Sequence, residues 1–160
     1  MKHAPQVLDE ADRRLLRALQ RDASISQAEL AEQAGVSASL VSRRISRLKD
    51  AGVLRAVVGL IDAERVGLTC SAIIRVRLKD HAAASVKAFR DLVTRMNEVT
   101  LCVMLTGEAD YLLKIVARDL PHFQEIVQSK LLRCSAIQHM ESSIVLEHLK
   151  DTTALPLEEL

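Results

Sequence analysis

The sequence predicts an α+β chain of two small domains, an N-terminal winged helix-turn-helix and a C-terminal ferredoxin-like β-α-β-β-α-β domain. Three observations carry that prediction. Up to about residue 52, apolar residues recur at helical spacing in three short blocks, and the blocks are separated by capping residues and glycines. The third block is basic: from Ser37 to Val58, Arg43, Arg44, Arg47, Lys49 and Arg55 face a single acid, Asp50, although the whole chain carries a net charge of only +1. After Asp62, β-branched runs of alternating polarity take turns with helical runs. The expected boundaries are 1–62 for the helix-turn-helix domain with its β-ribbon linker and 63–160 for the second domain, well within the size range of single domains.

In the first helix Asp9 is the cap with Asp12 three residues on, and Leu15, Leu16 and Leu19 recur at helical spacing to about Asp22. Ser26 and Glu29 form the S-x-x-E box that opens a second helix of about two turns, with Leu30, Ala31 and Ala34 inward and Gly35 at its end. Ser37 caps the third helix, whose apolar stripe is Val41, Ile45 and Leu48, and Gly52 stops it. Two short helices joined by a glycine turn, the second one basic, form the helix-turn-helix pattern. Opposite the stripe lie Ser39, Ser42, Arg43, Ser46 and Arg47. Such side chains hydrogen-bond to base edges and phosphates, and small serines let the helix approach the groove closely. The β-rich run from Val53 to Ile61 reads as the wing, where Arg55 adds a phosphate contact.

In the second half, Thr69 to Lys79 is a strand with Cys70, Ala72, Ile74, Val76 and Leu78 on one face and Arg75, Arg77 and Lys79 on the other. Ala82 to Met96 is a helix on Val86, Phe89, Val93 and Met96. Val99 to Thr106 is apolar on both faces and reads as a buried, central strand. Gly107 to Asp110 turns into a strand from Tyr111 to Val116, Asp119 caps a helix with Pro121 near its start and Phe123, Ile126, Val127 and Leu131 inward, and a last strand runs from about Ile137 to Glu147. Two helices cover only one face of such a sheet. The apolar residues left on the other face call for a dimer through stacked sheets.

Composition removes several function classes. Hydrophobic residues are 49% and charged residues 27% of 160, and no uncharged run approaches the roughly 18 apolar residues of a membrane span. The stretch from Met1 to Gln6 lacks the apolar core of a secretory signal, so a cytoplasmic location and no membrane partner are expected. Cys70, Cys102 and Cys134 are too widely spaced for a zinc site and odd in number for a disulfide framework, so no metal is expected. Two Phe and one Tyr are too few for stacking platforms on single-stranded nucleic acid. No nucleophile-base arrangement or phosphate loop is visible, so neither an enzyme nor a cofactor is expected.

Leu8-Asp9 with Asp12, the segment from Leu30-Ala31 to Gly35-Val36-Ser37, the stretch Ser42 to Leu48 and the turn Gly107-Glu108-Ala109-Asp110-Tyr111-Leu112 together resemble the Lrp/AsnC family of bacterial and archaeal transcription regulators. The resemblance covers nearly the whole chain, including the tail Thr152 to Leu157. It implies a homodimer, often assembled into tetramers or octamers, that binds double-stranded promoter DNA and is tuned by a small effector, usually an amino acid, in the control of amino-acid metabolism. On the basic third helix and the run after it, the DNA contacts are expected at Ser37, Ser39, Ser42, Arg43, Arg44, Ser46, Arg47 and Arg55. The effector would sit around Thr106, Gly107, Glu108 and Asp110, with Met104, Leu120, Ile144 and Val145 as apolar neighbours; the two carboxylates suit an α-ammonium, and backbone N–H groups suit an α-carboxylate. Ala38 and Leu40 stand where many members carry proline, so the base preference is expected to differ. A tetrapyrrole enzyme similar to sirohaem decarboxylases shares this architecture and is the alternative, with His139 as the candidate cofactor-facing residue.

Overall fold

The computed structural model describes residues 6–157; the N-terminal residues read above for a leader, Met1 to Pro5, lie outside them. The chain forms two compact units, one running to Leu60 and completed by the tail from Lys150, the other spanning Ile61–Leu149.

The first unit has three helices, α1 (Glu10–Arg21), α2 (Gln27–Ala34) and α3 (Ala38–Asp50). Capping sets the start of the first two. Asp9 accepts from the Asp12 N–H at 2.8 Å while the Asp12 carboxylate accepts from the Asp9 N–H, and Ser26 and Glu29 repeat the reciprocal pair at α2. Gly35 takes φ +68° and Gly52 φ +71°, left-handed turns that end α2 and follow α3, with Val36 N–H returning to the Ala31 carbonyl and Val53 N–H to that of Leu48. Ser37 precedes α3 but caps nothing: its hydroxyl pairs with that of Ser39 at 3.1 Å. Leu15, Ala18, Leu30, Ala31, Ala34 and Val41 make one core, and Leu16 and Leu48 a second.

Two expectations fail in this unit. Residues 55–61 form no strand, and among the described residues no backbone hydrogen bond joins them to another segment. The tail, assigned from sequence to the second domain, completes the first. Leu157 is buried against Leu16 and Leu48, and the Gln20 carboxamide bridges the Leu155 backbone, accepting its N–H at 2.7 Å and donating to its carbonyl at 3.2 Å.

The second unit is a four-stranded antiparallel sheet, β1 (Cys70–Leu78), β2 (Val99–Met104), β3 (Tyr111–Ala117) and β4 (Ile137–Ile144), in the order β2-β3-β1-β4. Helices α4 (Ala83–Arg95) and α5 (Leu120–Ile126, continued by the wider turn Val127–Leu131) supply Phe89, Val93, Phe123, Ile126 and Leu131 to the core with Ala72, Ile74, Val76, Leu113 and Ile115. The Phe89 and Tyr111 rings lie 4.6 Å apart. The element order and the two faces of β1 are as read from the sequence. β2 is not buried: it is an edge strand, and Leu101, Val103, Leu105 and Met104 are exposed because only β3 flanks it. β4 stops at Ile144, three residues short of the expected end.

The register assigns the faces. Leu101 and Val103 on β2, Leu112 and Lys114 on β3, Ile73, Arg75 and Arg77 on β1 and His139 and Glu141 on β4 share the face away from the helices. That open face is apolar toward β2 and charged toward β4.

Candidate functional site

On α3, burying Val41 and Leu48 completely and Ile45 in part leaves Ser39, Leu40, Ser42, Arg43, Ser46 and Arg47 exposed on the opposite side. Arg55 is exposed on the unpaired segment beyond the helix. Arg44 and Arg47, both expected to face DNA, have a partner that the sequence reading missed. Arg44 Nη1 donates to Asp9 Oδ2 at 2.6 Å and to Asp12 Oδ1 at 2.8 Å, and Arg47 Nη2 donates to both Asp12 oxygens. Asp12 is fully buried, Arg44 is half-buried, and the Arg47 side chain keeps 48% of its exposure. The hydrogen bond from Arg44, aided by the Asp12 N–H, holds the Asp9 carboxyl below the usual carboxylate range, and Asp9 and Asp12 raise the Arg44 guanidinium in turn. The spacing of Asp9 and Asp12 signalled a capping box, and nothing local signals that the box also receives two guanidiniums from more than thirty residues away.

In the second unit, the turn after β2 borders a cavity of about 740 Å³ lined by Arg75, Arg77, Leu105, Thr106, Glu108, His139 and Glu141, among others. Of the expected effector residues it gathers Thr106 and Glu108. Arg77 Nε and Nη2 donate to the Glu108 carbonyl at 2.8 and 2.6 Å, and Arg75 pairs with Glu141 at 3.2 Å. Gly107 has φ +113° with nothing near the position of an added Cβ, so backbone conformation, not crowding, calls for glycine there. Asp110 is committed to the fold: its carboxylate accepts the Leu78 N–H at 2.7 Å and meets His81 Nε2 at 3.1 Å, and its backbone bonds Val76 and Leu105. Met104 pairs with Tyr111 at this end of the sheet, whereas Ile144 pairs with Ala72, Val145 bonds Ser71 and Leu120 opens α5 at the opposite end. Ala72 and Val76 are four residues apart on β1, roughly 13 Å at the rise of a strand. One protomer therefore does not bring Leu120, Ile144 and Val145 to Glu108. Arg75, Arg77, His139 and Glu141 are cavity residues that the sequence reading left out of the effector site; the alternating charges on β1 marked them only as a solvated face.

Residues 8–55 match a winged helix-turn-helix DNA-binding domain, and residues 71–155 match the Lrp/AsnC ligand-binding domain. The chain belongs to the Lrp/AsnC family. This Lrp/AsnC protein is 32% identical over 154 residues to the transcriptional regulator AzlB of Bacillus subtilis, covering 96% of this chain and 98% of that one. It is 35% identical over 144 residues to the leucine-responsive regulatory protein of Rhizobium meliloti, covering 90% and 92%. Its fold superposes on a Neisseria meningitidis transcriptional regulator solved as a complex with L-methionine, with a TM-score of 0.91, 37% identity and coverage of 96% and 99%. It is a DNA-binding transcription regulator with a ligand-binding domain, not a tetrapyrrole enzyme. Among the described residues no helix is long and apolar enough to cross a membrane.

Proposed function

We propose that this Lrp/AsnC regulator is a homodimer that reads promoter DNA with α3 and responds to an amino acid held beside the turn from Thr106 to Asp110. The observation that carries the effector reading is that a regulator matching it over nearly the whole chain was solved with L-methionine bound. Ser39, Ser42, Arg43 and Ser46 present the hydrogen-bonding face to base edges, Ser37 sits at the helix entry, and Arg47 and Arg55 meet phosphates. Arg44 supports the helix from within. In the cavity, Glu108 and Glu141 suit an α-ammonium, and Arg75 suits an α-carboxylate.

The open sheet face and the unpaired apolar segment 55–61 support the dimer, since both leave groups that a second copy would cover. The cavity opens on that same face. Effector occupancy and subunit packing are then read at one place, and Leu120, Ile144 and Val145 reach the effector only from another subunit, as tetramers or octamers would allow. Control of amino-acid metabolism and a cytoplasmic location follow from this reading.

A thermal-shift screen against the proteinogenic amino acids tests it, because a ligand that binds only the folded chain at a hundredfold over its Kd adds about 2.7 kcal/mol. One or a few amino acids are expected to raise Tm by several degrees. A flat response to all of them would overturn the amino-acid effector.

A further inference from the structure

The first unit carries an acid where a DNA-binding surface has no electrostatic use for one. Asp12 is fully buried in α1, yet its carboxylate faces α3, where it receives Arg44 at 2.8 Å and Arg47 at 2.6 Å. Asp9 adds a second carboxylate to Arg44 at 2.6 Å. A buried carboxylate that meets two guanidiniums at such distances fixes both the rotation of α3 about its axis and the direction of each arginine. Arg47 spends one nitrogen, Nη2, on Asp12 and stays half exposed, so Nε and Nη1 keep donors for another anion. A guanidinium aimed in advance loses less conformational freedom when it meets a phosphate.

We propose that Asp12, which touches no DNA, is a positioning residue for sequence recognition: it orients Arg47 as a phosphate clamp and thereby sets the register in which Ser39, Ser42 and Arg43 meet the bases. The inference rests on α3 being the helix that enters the groove. It carries an unusual sign. Removing the Asp12 charge makes the surface more positive, which strengthens binding to DNA of any sequence, while releasing Arg44 and Arg47 blurs discrimination. A residue that merely supported the fold would weaken both kinds of binding together.

The experiment measures binding of the whole chain, by fluorescence anisotropy over a range of salt, to a duplex selected by the unaltered protein from a random pool and to a shuffled duplex of the same composition. Asp12→Asn is expected to lower the ratio of selected to shuffled affinity by about tenfold, while shuffled binding holds or rises and its log–log salt slope steepens by about 0.9 for each phosphate that a released arginine newly meets. Glu10→Gln, which loses ion pairs with Arg13, Arg14 and Arg17 of the same helix, should leave the ratio unchanged. A proportional loss on both duplexes, or an unchanged ratio, would overturn the inference. Should Asp12→Asn fail to fold by circular dichroism, Arg47→Lys carries the test, since it keeps the charge but loses the planar fork: a fall in the ratio supports the clamp and an unchanged ratio overturns it. If the unaltered protein selects no duplex from the pool, the reading of α3 itself fails, a result distinct from selection that is insensitive to Asp12.

Discussion

At Glu98, one oxygen meets Lys130 Nζ at 2.6 Å while the other is buried without a hydrogen-bond partner. The Lys130 hydrogen bond outweighs burial and holds the carboxyl below its ordinary range. A depressed carboxylate contributes stability above its unfolded pKa and loses it as pH falls through the folded value, so the pair acts on the acid limb alone. Glu98→Gln should flatten the loss of stability below the ordinary carboxylate range and cost about 0.5–1 kcal/mol near neutral pH, the scale of a partly exposed pair. Denaturant melts across pH check this, and an acid limb as steep as in the unaltered chain would contradict it. Asp110 is a different case. Its bonds to Leu78 and His81 make an Asp110 variant a probe of the hairpin, so it cannot isolate the effector response.

Among the elements, the tail does work that its sequence does not announce. Leu157 closes a small core with Leu16 of α1 and Leu48 of α3, so the tail supports α3 from its buried side. Leu157→Ala should destabilise the first unit by about 2 kcal/mol, the low end for a buried leucine because the site lies at the surface, and calorimetry should show that unit's transition moving down. An unshifted transition would contradict the packing. Elements defined by local signals were legible in the sequence: α1 and α2 from capping boxes, the end of α3 from Gly52, and β1 from strict alternation. What depended on distant partners was not. Apolarity on both faces of Val99 to Thr106 suggested burial, but strand order placed it at the edge; β propensity suggested a wing, yet segment 55–61 finds no partner strand among the described residues. For the same reason the Asp12 clamp and the dispersal of Leu120, Ile144 and Val145 from Glu108 were invisible, since each depends on contacts across the fold.

For the whole molecule, a DNA-binding unit made of two stretches of chain encloses the ligand-binding unit in sequence, so the two units are joined at both Leu60–Ile61 and Leu149–Lys150. On the proposed function, the amino acid and the duplex bind different units of the chain and are coupled. Coupling of this kind is a difference in ligand affinity between states, commonly 5–150-fold, and it is reciprocal. By that proposal, an amino acid and DNA are linked ligands of this chain. Its most direct test is the affinity of the chain for its selected duplex, measured with and without each proteinogenic amino acid at fixed salt. The amino acid that raises Tm is expected also to shift duplex affinity by at least about fivefold, within the usual range of coupling. Duplex affinity indifferent to every amino acid, including any that binds, would contradict it.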